Sequence, residues 1–139
     1  MSSSDLSSVF QISASGLHAQ TTRMKVDAEN IANADTTPSS PNQAPYRRQI
    51  VSFANEFDKA LGAYEVKVKS VQKDRSPFNK KFDPSHPAAD AQGFVSTPNV
   101  NPIIESMDMR EAQRAYDANL NCIDAARGMI LKVLDLLKT

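Results

Sequence analysis

The sequence predicts a mainly α fold in which long N- and C-terminal helices pair as a coiled coil, with a small β-hairpin and an extended loop segment between them. Two proline-free stretches with helical periodicity bound the chain, and the middle alternates short β-patterned runs with proline-rich loops. These shifts divide it at 1–35, 36–102 and 103–139.

The first segment has no proline from Leu6 to Asn33, and apolar or small residues recur at Leu6, Phe10, Ala14, Leu17, Thr21, Met24, Ala28 and Ile31. Spacings that alternate four and three mark one stripe of an amphipathic helix. Asn33 suits a helix end because asparagine tolerates the left-handed conformation, and Pro38 forbids continuation.

Three prolines in TTPSSPNQAP (36–45) make a loop. YRRQIVSF (46–53) and YEVKVKSV (64–71) read as strands. In the second, Val66 and Val68 alternate with Lys67 and Lys69, so one face packs while the other is wet. The two strands are expected to pair across a turn near Gly62. Over 80–102 four prolines and one glycine exclude a long helix and predict an extended, turn-rich return.

From about Ile103 the helical period returns. Met109, Tyr116, Ile123, Ile130 and Leu137 lie seven apart, and Ala112, Asn119, Ala126 and Val133 follow three residues after the first four. That is an a/d heptad over four repeats. Asn119 either fixes register or is simply tolerated at the seam edge.

Both helices carry more apolar surface than one seam uses. On the first, Ile12, Ala19 and Val26 lie roughly 200° round from Phe10, Leu17 and Met24 at about 100° per residue. Near the C-terminus Met129, Leu131, Leu134 and Leu136 surround the heptad residues. The middle segment could cover these second faces. It is short and loop-rich, however, against helices of roughly 40 and 50 Å, so neighbouring molecules are the better cover. The interface residues expected on this argument are Phe10, Ile12, Leu17, Met24, Val26 and Ile31 on the first helix. On the last they are Met109, Tyr116, Asn119, Ile123, Ile130, Val133 and Leu137.

Material for catalysis is sparse. Sixteen basic residues balance sixteen acidic ones, which removes the broad electrostatic case for nucleic acid. Two histidines, His18 and His86, and a single cysteine, Cys122, make no metal cluster. Four glycines supply no phosphate-cradling loop. Asp83, Ser85 and His86 stand together between prolines, a pattern of turn chemistry rather than of a catalytic triad. No cofactor, metal or small-molecule substrate is expected. Arg110, Arg114 and Arg127 read either as a solvated face or as ion-pairing partners for a neighbouring subunit. MSSSDLSSVF lacks the basic and apolar regions of a secretory signal, and no run approaches the roughly 20 apolar residues of a membrane span.

SASGLHAQTTRMKVDAENIANADT (13–36), with Gly16, Leu17, Ala19, Gln20, Arg23, Met24 and the Asn30-Ile31-Ala32-Asn33 run, resembles the N-terminal signature of bacterial flagellar rod and hook proteins. DPSHPAADAQGFVSTPNVN (83–101), EAQRAYDANL (111–120) and YRRQ (46–49) resemble the proximal rod members of that family. Ser106 intervenes before Met107, and Pro102 and Arg110 stand where apolar residues are usual, which shifts the expected start of the last helix by a few residues. The resemblance implies export through the flagellar type III apparatus without cleavage of a signal, and incorporation into a tubular rod that crosses the periplasm and carries torque. It implies terminal helices lining an inner tube, and contacts with copies of the chain and sister rod proteins. Contact with the surrounding basal-body ring stays open. Asn30 and Asn33 are expected to hydrogen-bond across the inter-subunit seam, with plain helix capping as the alternative for Asn33. A structural subunit should keep full motility when Ser85 and His86 are replaced by alanine; lost activity with intact assembly would restore the enzyme reading.

Overall fold

The computed structural model describes residues 3–138. The predicted terminal segments reach Met1, Ser2 and Thr139, which lie outside the described residues. Six elements follow in order: α1 (Ser3–Asn33), β1 (Gln49–Asp58), β2 (Ala63–Lys73), β3 (Asn79–Phe82), β4 (Phe94–Thr97) and α2 (Pro102–Leu137).

The helices lie antiparallel. Asn30 meets Glu105, Arg23 meets Asp108 and Glu111, and Gly16 meets Asn119, so position falls on α1 as it rises on α2. On α2 the predicted heptad positions Met109, Tyr116, Asn119, Ile123 and Ile130 are half-buried, Val133 and Leu137 at the end of the repeat are exposed, and Ala112 and Ala126 are fully buried. Small residues there let the two backbones approach closely.

On α1 the face differs from the expectation. The buried positions are Ser13, Gly16, Ala19, Val26, Asp27 and Asn30, whereas Ala14, Thr21 and Ala28 of the predicted stripe are exposed. Leu17, Met24 and Ile31 each follow a residue turned inward (Gly16, Arg23, Asn30), so the apolar stripe sits about 100° from the face that meets α2. The reason lies in α2, whose alanines and Glu105 fit small and polar partners. The stripe opposite Leu17 is mostly covered within the chain: Ala19 and Val26 are buried, and the β1–β2 hairpin lies alongside, with Ser15 Oγ accepting from Val66 N at 3.3 Å.

α1 ends without a left-handed residue. Among the described residues positive φ occurs only at Gly62 and Gly93, so Asn33 is not the left-handed cap predicted. The last turn tightens instead, Ala34 N bonding Ile31 O and Thr36 N bonding Asn33 O, while Asn33 Nδ2 donates to Glu29 O. At the same end of the helix pair Asn101 caps α2, its side chain accepting from Ile103 N, and Pro102 takes the first helical position, where no N–H is needed.

β1 and β2 pair antiparallel across Gly62 and run longer than predicted. Asp58 Oδ1 accepts from Ala60 N and Leu61 N, which fixes the turn. Register shifts between Ser52 and Phe53, leaving Lys69 as the extra residue of a bulge. Val66, Val68 and Val71 break strict alternation, and the bulge restores phase by setting Val71 opposite Val51.

The return segment holds a second hairpin, β3 against β4, which the prolines had hidden. Pro84 and Pro87 lie in its connection and Pro98 beyond it, so none interrupts the ladder. Phe82 and Phe94 close it edge to face at 5.3 Å.

Gly16 carries a testable constraint. A Cβ there would stand 2.7 Å from Asn119 Nδ2 and 2.8 Å from Oδ1. Gly16→Ala alone should therefore destabilise the helix pair despite the gain of about 1 kcal/mol in helix propensity. Adding Asn119→Ala should recover at least about 1 kcal/mol, measured by urea titration of the helical circular dichroism.

Candidate assembly interface

Two regions bear on assembly, a buried polar hub that fixes the fold and apolar surface left open at the helix ends. Asn30 is the centre of the hub and is fully buried. Its Nδ2 donates to Gln49 O and Glu105 Oε2 at 2.8 Å each, and its Oδ1 accepts from Tyr46 Oη and Gln49 N at 2.9 Å each. Those four bonds fill the capacity of an amide. The expected bond from Asn30 to a neighbouring subunit is therefore corrected: both ends of the group are used inside the chain.

Glu105 is 1 % exposed and is held by Arg48 Nε through a charge-assisted bond. Arg48 also lies 3.6 Å from Asp74 and 3.7 Å from Asp108, and Arg23 pairs with Asp108 and Glu111 at 3.6 Å each. Arg47 bonds the carbonyls of Asp74 and Ser76 and lies over the Phe78 ring at 4.1 Å. Asp27 is also buried, and its Oδ2 has no hydrogen-bond partner. Burial pushes its carboxyl up from 3.8 to about 6; the neighbouring charges of Glu105 and Asp108 add to the rise, and Arg23 and Arg48 oppose it.

Of the other predicted interface residues, Val26 is buried. Phe10, Leu17, Met24, Ile31, Asn33, Met109, Tyr116, Asn119, Ile123 and Ile130 are half-buried, and Ile12, Val133 and Leu137 are exposed. The structure gathers Phe10, Ile130 and Val133 with Leu6, Met129 and Leu134 into one open groove of ≈ 870 Å³. Leu137 beyond it is 78 % exposed.

Asp83, Ser85 and His86 form a turn. Ser85 Oγ donates to Asp83 Oδ1 at 2.7 Å, His86 Nδ1 accepts from Ala88 N, and His86 Nε2 lies 3.1 Å from Thr37 Oγ1. Ser85 thus addresses the aspartate and not the histidine. Among the described residues no group of three His, Cys, Asp or Glu is placed to hold a metal.

The profile of the family described as "Flagella basal body rod protein" matches residues 10–38, and that described as "Flagellar basal body rod FlgEFG protein C-terminal" matches residues 91–136. Flagellar basal-body rod protein FlgC of Agrobacterium fabrum is 48 % identical over 133 residues, 96 % of either chain. The chain belongs to the flagellar basal-body rod family. Proteins of the same name from Bacillus subtilis and Salmonella typhimurium are each 37 % identical, over 90 % and 94 % of this chain and 93 % and 97 % of their own. The two rod-family matches hold Asn30 and Glu105, the two ends of the hub. Arg48, Tyr46 and Gln49, which complete it, fall between the matched stretches.

The hub is legible in the sequence only through YRRQ, where a tyrosine, two arginines and a glutamine cluster without acidic neighbours. Asp27 gives a pH-dependent test. Its folded pKa lies above its unfolded value, so the folded chain retains a proton that the unfolded chain releases. The resulting stability is fully present below about 3.8 and is lost as pH rises through about 6. Asp27→Asn should match the wild type near pH 4 and exceed it by about 1–2 kcal/mol at pH 8, read from urea midpoints across that range.

Proposed function

We propose that the chain is a structural subunit of the proximal rod of the bacterial flagellar basal body, acting in the drive shaft and not as an enzyme. Near full-length similarity to proteins named flagellar basal-body rod protein FlgC carries this reading. It is exported by the flagellar type III apparatus and reaches the rod spanning the periplasm. There residues 1–35 and 103–139 pair as a coiled coil in the inner tube, with residues 36–102 outside. Its neighbours are copies of itself and sister rod proteins.

The apolar groove supports assembly through the termini. Phe10, Ile130 and Val133 line the open groove beside Leu134, and Leu17, Met24 and Ile31, each half-buried, continue along α1. Each large side chain enclosed by a neighbour contributes roughly 1.5–3 kcal/mol. Several in one contact suffice to order the ends and hold a subunit in place.

Placing a carboxylate in the groove separates export from assembly. Phe10→Asp should leave the chain secreted at wild-type level while removing it from isolated basal bodies and abolishing motility. Normal incorporation of Phe10→Asp would refute assembly through this groove.

A further inference from the structure

We propose that Asp27 is a proton-operated switch in the helix pair: once it loses its proton it draws Arg23 away from α2, and the two helices lose the clamp that ties them beyond the hub.

Polar ties join α1 to α2 at two successive levels. One is Asn30 to Glu105 in the hub, and the other, about two turns along α1, is Arg23 to Asp108 and Glu111. Asp27 lies between them, four residues after Arg23 and three before Asn30, spacings that set side chains next to one another on a helix. It is buried, and its Oδ2 has no hydrogen-bond partner. The charged groups that face it are Arg23 on α1, Glu105 and Asp108 on α2, and Arg48 just ahead of β1. A neutral carboxyl is tolerated beside two carboxylates, whereas a third carboxylate buried there needs a cation of its own.

The geometry leaves one group able to supply it. Asn30 has all four of its hydrogen bonds made. Arg48 is held by Glu105, and its departure would leave that buried carboxylate without its cation. Arg23 is free to turn. Its side chain is 25 % exposed, and its two contacts on α2, both at 3.6 Å, are longer than a good charge-assisted hydrogen bond. Neither anion that it leaves is stranded: Asp108 keeps Arg48 at 3.7 Å, and exposed Glu111 returns to water. Burial, with Glu105 and Asp108 adding to it, holds the Asp27 proton up to about 6, so the exchange falls between mildly acid and neutral solution. Beyond Arg23 the pair continues through Gly16 against Asn119 and through buried Ala126, uncharged contacts that carry little direction. Releasing the clamp therefore loosens that half of the helix pair and leaves the hub in place.

Amide hydrogen exchange on the full chain tests the switch, with protection corrected for the intrinsic effect of pH on exchange. In the wild type, protection over residues 109–119 of α2 should fall at least about tenfold between about pH 5 and about pH 7.5. Asp27→Asn, which keeps the shape and never charges, should stay protected to within about twofold across that range, and Arg23→Gln should be poorly protected throughout. Followed by NMR, the Asp27 carboxyl carbon and the Arg23 Nε signal should titrate together near 6. A pH response that survives in Asp27→Asn, an Arg23→Gln chain as protected as the wild type in mild acid, or an Arg23 signal that stays flat while Asp27 titrates would each overturn the proposal.

Discussion

The hydrogen bonding of one buried amide holds the rest of the fold in place. Asn30 near the end of α1 joins two other parts of the chain that lie far apart in sequence, residues 46–49, through Tyr46 and both backbone groups of Gln49, and α2, through Glu105. Glu105 in turn holds Arg48, which reaches Asp74 and Asp108. Removing any member leaves a buried donor, acceptor or charge without its partner, at about 1–3 kcal/mol for a neutral group and more for an ion. The hub therefore sets where α2 starts along α1 and where the hairpin docks. A purely apolar seam of small residues would leave that register loosely defined, because hydrophobic contact has no direction.

The segments and their order were readable from the sequence because periodicity and proline placement are local signals. The helical period of α2 was readable too, and the heptad positions Ala112 and Ala126 are buried, whereas Val133 and Leu137 of the same repeat are exposed. The α1 face was not readable. Its apolar stripe through Leu17 and Met24 is the stronger pattern, yet the buried face runs through Gly16, Asp27 and Asn30, residues that a hydrophobicity pattern counts as exterior. Burial of Asp27 and Asn30 becomes intelligible only when Arg23, Arg48 and Glu105 are brought beside them, and that is information about tertiary placement. The β3–β4 hairpin escaped notice for a related reason, because four-residue strands framed by prolines carry too little alternation to stand out. The bulge at Lys69 shows the opposite case: the irregular spacing of Val68 and Val71 records it, but only knowledge of the pairing gives that spacing a meaning.

Polar and apolar groups are thus distributed in an uncommon way. The interior of the helix pair is small and polar, whereas larger apolar side chains lie along its flank and at its ends. In a chain that functions alone this arrangement would be costly, since each exposed leucine or isoleucine forgoes its transfer free energy. In an assembling subunit the two kinds of contact have separate roles. The hub gives one defined shape, because its bonds have direction and partners. In the proposed assembly the outer apolar surface is what supplies adhesion, because it accepts any complementary apolar surface at the right height.

That separation also bears on how rigid a subunit must be before it assembles. The hub lies where α1 ends and α2 begins, next to both hairpins, so directional bonds are concentrated at that end of the helix pair. The opposite end, around Phe10, Ile130 and Leu137, is held mainly by apolar contacts between the two helices, and its groove opens to solvent. Local opening is easiest where buried apolar contacts are fewest and the backbone is most exposed. The free ends can therefore adjust to a neighbour at little cost while the hub keeps the middle segment fixed. Strengthening the ends with further intramolecular contacts would make the lone chain more stable and the joined one less so, because surface already covered has nothing to gain from a neighbour.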